Sequence, residues 1–136
     1  MRFVDTNVFL RFLVNDDPAK ADACEALFRN AIAGDEALCT SDMVIAEIIW
    51  VLESYYELKK ADIRESVEKI LNTRNLDCPN REIIISALSI YVEKNIDFID
   101  AFNAFILKRD EINEIYSYDK HFDRVDWIKR MEPGEC

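Results

Sequence analysis

Short apolar runs of strand length alternate with longer stretches of helical periodicity along nearly the whole chain, and that alternation narrows the possible folds most. Arg2-Phe3-Val4, Glu36-Ala37-Leu38-Cys39, Asn75 to Cys78 and Glu114 to Tyr118 read as strands. Between them lie stretches whose apolar residues recur every three or four positions. Strands separated by helices return in the same direction, so the expected class is α/β: a small parallel sheet flanked by helices.

Local signals mark the helix ends. Asp5-Thr6-Asn7 offers short polar side chains suited to starting a helix through Phe9, Leu10 and Leu13. In Asp17-Pro18 the Asp is a good N-cap and the Pro sits where a helix tolerates it; Ala21, Cys24, Phe28 and Ala31 follow at helical spacing, and Gly34 closes that helix. Ser41 can cap a long helix reaching about Leu58. After Lys59-Lys60 comes a second amphipathic helix with Ile63, Val67, Ile70 and Leu71, and together the two predict a projecting helical hairpin. Pro79-Asn80 leads into a helix carrying Ile83, Ile84, Ala87, Leu88 and Tyr91, and Phe98 to Arg109 forms another. The tail to Cys136 reads as loop with one edge strand near Met131. With 136 residues, the expectation is one domain spanning 1–136.

Several classes are disfavoured. The composition, 50% apolar and 32% charged, is that of a globular protein rather than a disordered chain. No run approaches the roughly 20 apolar residues that span a bilayer, and no basic segment precedes an apolar one, so the expected location is the cytoplasm. Cys24, Cys39, Cys78 and Cys136 form no C-x-x-C, and His121 is the sole histidine. Zinc and a disulfide framework are therefore poorly supported, and the thiols are read as reduced and structural. With glycine only at positions 34 and 134, no phosphate-binding glycine loop can be built. The formal net charge of −10 argues against holding nucleic acid by general basic attraction, although bound divalent cations would invert that charge locally.

Part of the negative charge sits in an unusual place. Asp5, Glu47, Asp100 and Asp119 each follow or interrupt an apolar run, where a lone carboxylate is hard to keep ionised. Glu47 has Met43, Val44, Trp50 and Val51 at three and four positions either way, which predicts a carboxylate pointing into the protein. Asp5 falls at the carboxyl end of a strand, where open α/β sheets place ligands, although it could equally cap the next helix. Asp97 and Asp100 fit the N-cap and third position of one helix, and Asp119 fits a turn. Singly, each has a structural explanation. Jointly, four ionised groups within ~4 Å would repel by about 4 kcal/mol per pair at an effective dielectric near 20. Protons or cations must relieve that, and oxygen ligands select a hard divalent ion, Mg²⁺ or Mn²⁺.

The order and context of these residues resemble the PIN-domain nucleases, and most closely the VapC-type toxins of prokaryotic toxin–antitoxin pairs. The opening FVDTNVFLRFLVNDDPAKA, the acid-bearing IAEIIWVLES, DFIDAFNAF as the D-x-x-DA helix, and SYDKHF as the closing T-x-D-x-x-F element carry the likeness, with the weakest match between Lys60 and Tyr91. The resemblance implies a PIN-like fold with a metal site formed by Asp5, Glu47, Asp100 and Asp119. It implies supporting roles for Asn7 and Ser117, and for Asp97 behind the ligands. A further acid frequent two residues after the last Asp is replaced by His121. The implied activity is metal-dependent cleavage of single-stranded RNA, restrained by an antitoxin.

Arg11 and Lys120 are candidate phosphate contacts. Trp50 and Phe12 could stack bases, although aromatics at helical spacing usually belong to the core. The apolar stripe including Tyr55, Leu58 and Ile63 could serve a homodimer contact or receive a partner's helix. Two other classes compete: phosphoryl transfer through an aspartyl intermediate, against which stands Asn7 in place of a second Asp, and a catalytically silent binding module. Trapping with beryllofluoride separates the first, and Mn²⁺ titration the second.

Overall fold

The computed structural model describes residues 1–134, so Cys136 lies outside the described residues. The chain forms two compact units, Met1–Arg81 and Glu82 onward.

The first unit is built on three two-residue strands, β1 (Arg2–Phe3), β2 (Leu38–Cys39) and β3 (Leu76–Asp77), all parallel and in the order β1-β2-β3. Arg2 pairs with Leu38 and Leu38 with Leu76. Helices α1 (Thr6–Val14) and α2 (Pro18–Ala33) make the first crossover, and α3 (Asp42–Ser54) and α4 (Lys60–Leu71) the second. Strands this short depend on bonds at their ends. Val4 N–H donates to Cys39 O (2.8 Å), Thr40 N–H to Asp77 O (2.9 Å), and the buried Thr40 hydroxyl to Val4 O (3.0 Å). These bonds fasten together the carboxyl ends of all three strands.

Helix packing supplies the core. The Phe9 ring stacks on Phe28 with centroids 5.4 Å apart, and Phe12 meets Phe28 edge-on, so Phe12 is a packing residue. Helix α3 buries Ile45, Ile48 and Leu52 completely, and α4 buries Ile63 and Val67, each contributing about 1.5–3 kcal/mol of burial. The end signals act as read: Asp17 accepts from Lys20 N–H, Pro18 is the first residue of α2, Gly34 closes it at φ +89°, and Ser41 Oγ accepts from Val44 N–H.

Helix α3 stops at Ser54 rather than near Leu58. Glu57 takes a left-handed conformation (φ 54°), and the chain folds back so that Tyr56 N–H reaches Val51 O and Leu58 N–H reaches Leu52 O. The stripe expected to face a partner is divided: Tyr55 is 76% exposed, whereas Ile63 is wholly buried in the core.

The second unit contains α5 (Arg81–Glu93, its first residue closing the first unit), α6 (Phe98–Arg109), β4 (Glu114–Tyr116), a 3-10 turn at Lys120–Arg124, and β5 (Lys129–Met131). Strands β4 and β5 pair in parallel, Ile115 with Arg130, as a sheet of their own. A parallel pair needs a crossover of about a dozen residues, which 117–128 provide. Ile84, Leu88, Tyr91, Ile96, Ala101 and Ala104 are buried. Trp127 Nε1 donates to Ala104 O at 2.8 Å, fixing the crossover to α6. No helix among the described residues is long and apolar enough to cross a membrane. Cys24, Cys39 and Cys78 are free thiols, with burial pushing that of Cys78 up to about 11.

Candidate metal centre

In the second unit, Asp97, Asp100, Asp119 and His121 each present a ligand atom, and these atoms lie within 4.8 Å of one another. Two elements bring them together. Asp97 occupies the N-cap position of α6 and Asp100 its third residue, so both face the helix end where backbone N–H groups carry partial positive charge. Asp97 makes no side-chain capping bond, and its exposed carboxylate is not committed to the helix. Buried Ile96 and Phe98 anchor that end of α6 on either side of it.

Asp119 and His121 sit at the start of the 3-10 turn. Asp119 caps the turn, its Oδ1 accepting from His121 N–H at 2.9 Å, and its own N–H donates to Ser117 Oγ at 3.0 Å. Ser117 is fixed in turn by β5: its N–H donates to Met131 O, and its carbonyl accepts from Arg130 Nη1, both at 2.9 Å. Arg124, closing the turn, donates to the carbonyls of Lys94 (3.1 Å) and Asn95 (2.7 Å). That last pair ties the turn to the loop just before Asp97, so the Arg124 side chain holds the carboxylates of α6 and of the turn in register.

The electrostatics follow from this crowding. Burial, a hydrogen bond that the Asp100 hydroxyl donates to Asp119, and the charges of Asp119 and Asp97 push Asp100 up to about 6. Asp119 moves the other way, held below the usual carboxylate range first by the His121 N–H and then by the Asp100 hydroxyl. Crowding thus favours the protonated form of Asp100 beside an ionised Asp119, a repulsion that a bound cation would relieve in place of the proton. His121 Nδ1 is buried without a hydrogen-bond partner, lying 3.4 Å from Asp119 Oδ1. A partnerless buried nitrogen among carboxylates that repel one another is a donor set that fits a divalent ion.

The first unit holds the other residues singled out in the sequence. Asp5 follows β1, is exposed, and caps α1 with one oxygen accepting from Thr6 N–H at 2.8 Å. Glu47 is exposed as well, which corrects the inward orientation inferred from its apolar neighbours. Met43 and Trp50, on its own face of α3, are 79% and 68% exposed, while the core side of the helix is Val44, Ile45, Ile48, Ile49 and Leu52. Trp50 is therefore not a core residue. Arg11 pairs with Asp16 at 3.1 Å and, with Asn7 and Lys20, lines an open pocket of about 300 Å³. Lys120 is exposed. His121, in the sequence the sole histidine and the place of a missing acid, is brought into the cluster; its spacing of two from Asp119 is the available signal.

A family model described as PIN domain matches residues 2–128. The chain belongs to the PIN-domain family. It is also 29% identical over 135 residues, covering 99% of this chain and 98% of the relative, to a VapC ribonuclease of Aquifex aeolicus (strain VF5). The mixed α/β architecture with short parallel strands is consistent with a PIN-like fold, and the acidic cluster with the divalent-metal dependence general to PIN nucleases.

Proposed function

We propose that this protein is an endoribonuclease, dependent on Mg²⁺ or Mn²⁺, that hydrolyses phosphodiester bonds of single-stranded RNA as the toxin of a toxin–antitoxin pair. The observation carrying the proposal is the convergence of Asp97, Asp100, Asp119 and His121, whose ligand atoms lie within 4.8 Å of one another, in a chain of the PIN family. The likeness to a VapC ribonuclease supports RNA as substrate and an antitoxin as partner. A second copy of the chain is a further expected partner.

In this reading Asp100 and Asp119 hold the ion, Asp97 supports them from the exposed rim, and Ser117 keeps Asp119 oriented. A bound divalent ion supplies Lewis acidity, making a water more acidic and offsetting charge on the scissile phosphate. Asp5 and Glu47 are required for the same reaction as carboxylates, and Lys120 and Arg11 are candidate contacts to the RNA backbone.

The test is cleavage of mixed cellular RNA with Mg²⁺, Mn²⁺ or EDTA. The parent protein should cut only with metal, and Asp100→Asn, Asp5→Asn and Glu47→Gln should each lose at least about a hundredfold. Cleavage that persists in EDTA, or unchanged in Asp100→Asn, would refute the assignment.

A further inference from the structure

We propose that His121 supplies an imidazole nitrogen to the cation held by Asp100 and Asp119, so that the site selects Mn²⁺ and later divalent transition metals over Mg²⁺. This rests on reading the cluster as a metal centre and adds the identity of a ligand and the class of ion. An all-oxygen set discriminates weakly between Mg²⁺ and Mn²⁺, whereas an imidazole favours the transition metal, because Mg²⁺ gives up its waters reluctantly and binds nitrogen poorly.

The geometry singles out the ring. A ligating nitrogen of His121 lies within 4.8 Å of oxygens of all three aspartates. Its Nδ1 is buried yet has no hydrogen-bond partner. Asp119 Oδ1 lies 3.4 Å away and accepts from the His121 backbone N–H at 2.9 Å, but makes no hydrogen bond with the ring nitrogen. The backbone bond also keeps the ring beside Asp119, since the 3-10 turn carries both residues. A histidine placed only to pack would bury its carbons and leave its nitrogens to water or to a carbonyl.

The chain contains a single histidine, which makes the test unambiguous in protein carrying no tag. The experiment is pulsed electron paramagnetic resonance on Mn²⁺-loaded protein, which detects an imidazole ¹⁴N coupled to the ion, together with calorimetric titration of Mn²⁺ and Mg²⁺. Parent protein should show the nitrogen coupling and bind Mn²⁺ more tightly than Mg²⁺. His121→Ala should still bind Mn²⁺ through its carboxylates but lose the coupling, with Mn²⁺ weakened by about tenfold and Mg²⁺ by no more than about twofold. His121→Asp, which restores a carboxylate at this position, should lower the Mn²⁺ to Mg²⁺ preference by strengthening Mg²⁺. Mn²⁺ bound in an Asp100-dependent manner with no nitrogen coupling would overturn the role of His121 and leave the metal centre standing. Binding that Asp100→Asn leaves unchanged would overturn both.

Discussion

Replacing Asp100 by Asn should make the metal-free protein more stable, although it removes a residue assigned to the metal centre. The carboxyl of Asp100 is raised from 3.8 to about 6 in the folded protein, a shift worth about 3 kcal/mol at about 1.4 kcal/mol per unit. The side chain is only partly buried, and solvent screening reduces that to about 1 kcal/mol. Coulomb's law gives the same range: two carboxylates no more than 4.8 Å apart repel by at least about 1 kcal/mol in water and about 3 kcal/mol at an effective dielectric near 20. The sign follows from linkage. Because the folded pKa lies above the unfolded one, the folded state binds the proton more tightly; the cost of ionising Asp100 is fully present above about pH 6 and disappears towards pH 4. Urea denaturation in EDTA should therefore find Asp100→Asn about 1 kcal/mol more stable than the parent at pH 8, with the gap closing at pH 4.5. Mn²⁺ at a hundred times its Kd should reverse the order by stabilising the parent by about 2.7 kcal/mol. A variant less stable than the parent in EDTA at pH 8, or a gap insensitive to pH, would refute the electrostatic description of this site.

Other outcomes follow from the same structure. Asp5→Asn should retain the cap on α1 and keep stability within about 0.5 kcal/mol, whereas Asp5→Ala should cost about 1 kcal/mol; equal losses in thermal melts would contradict a capping role for its side chain. Cys78, with its thiol pushed up to about 11, should resist iodoacetamide at pH 8 in the native protein and react only in denaturant, as mass spectrometry can follow. Leu52→Ala, at a fully buried position of α3, should cost about 2–5 kcal/mol in denaturant titrations.

Much of the architecture was legible because its signals are local. Asp17-Pro18, Gly34 and Ser41 mark helix ends through backbone chemistry that holds wherever the helix packs; β1 to β4 fall within the strand-length apolar runs, and β5 is the edge strand near Met131. What the residues alone could not supply was the choice among apolar faces. Helix α3 carries hydrophobic side chains nearly all round, so the neighbours of Glu47 were read as core, while Met43 and Trp50 in fact lie in solvent. The division of the parallel strands into a three-stranded and a two-stranded sheet depends on pairing between distant segments, which periodicity does not encode. The 3-10 turn is too short to show a repeat, and with it went the position of His121. Asp100 and Asp119, like Asp5 and Glu47, stand out as acids beside apolar runs, and Asp97 as a helix N-cap. The closeness of Asp97, Asp100 and Asp119 is a tertiary fact, fixed by Arg124 on the Lys94 and Asn95 carbonyls and by Arg130 on Ser117.

Anomalous diffraction from a crystal soaked in Mn²⁺ tests the central claim most directly. A peak should appear within about 2.0–2.4 Å of carboxylate oxygens of Asp100 and Asp119, and it should vanish in Asp100→Asn. Crystals of the parent that show Mn²⁺ elsewhere, or no ion at these oxygens while the protein still cleaves RNA, would contradict the assignment of this cluster as the reaction centre.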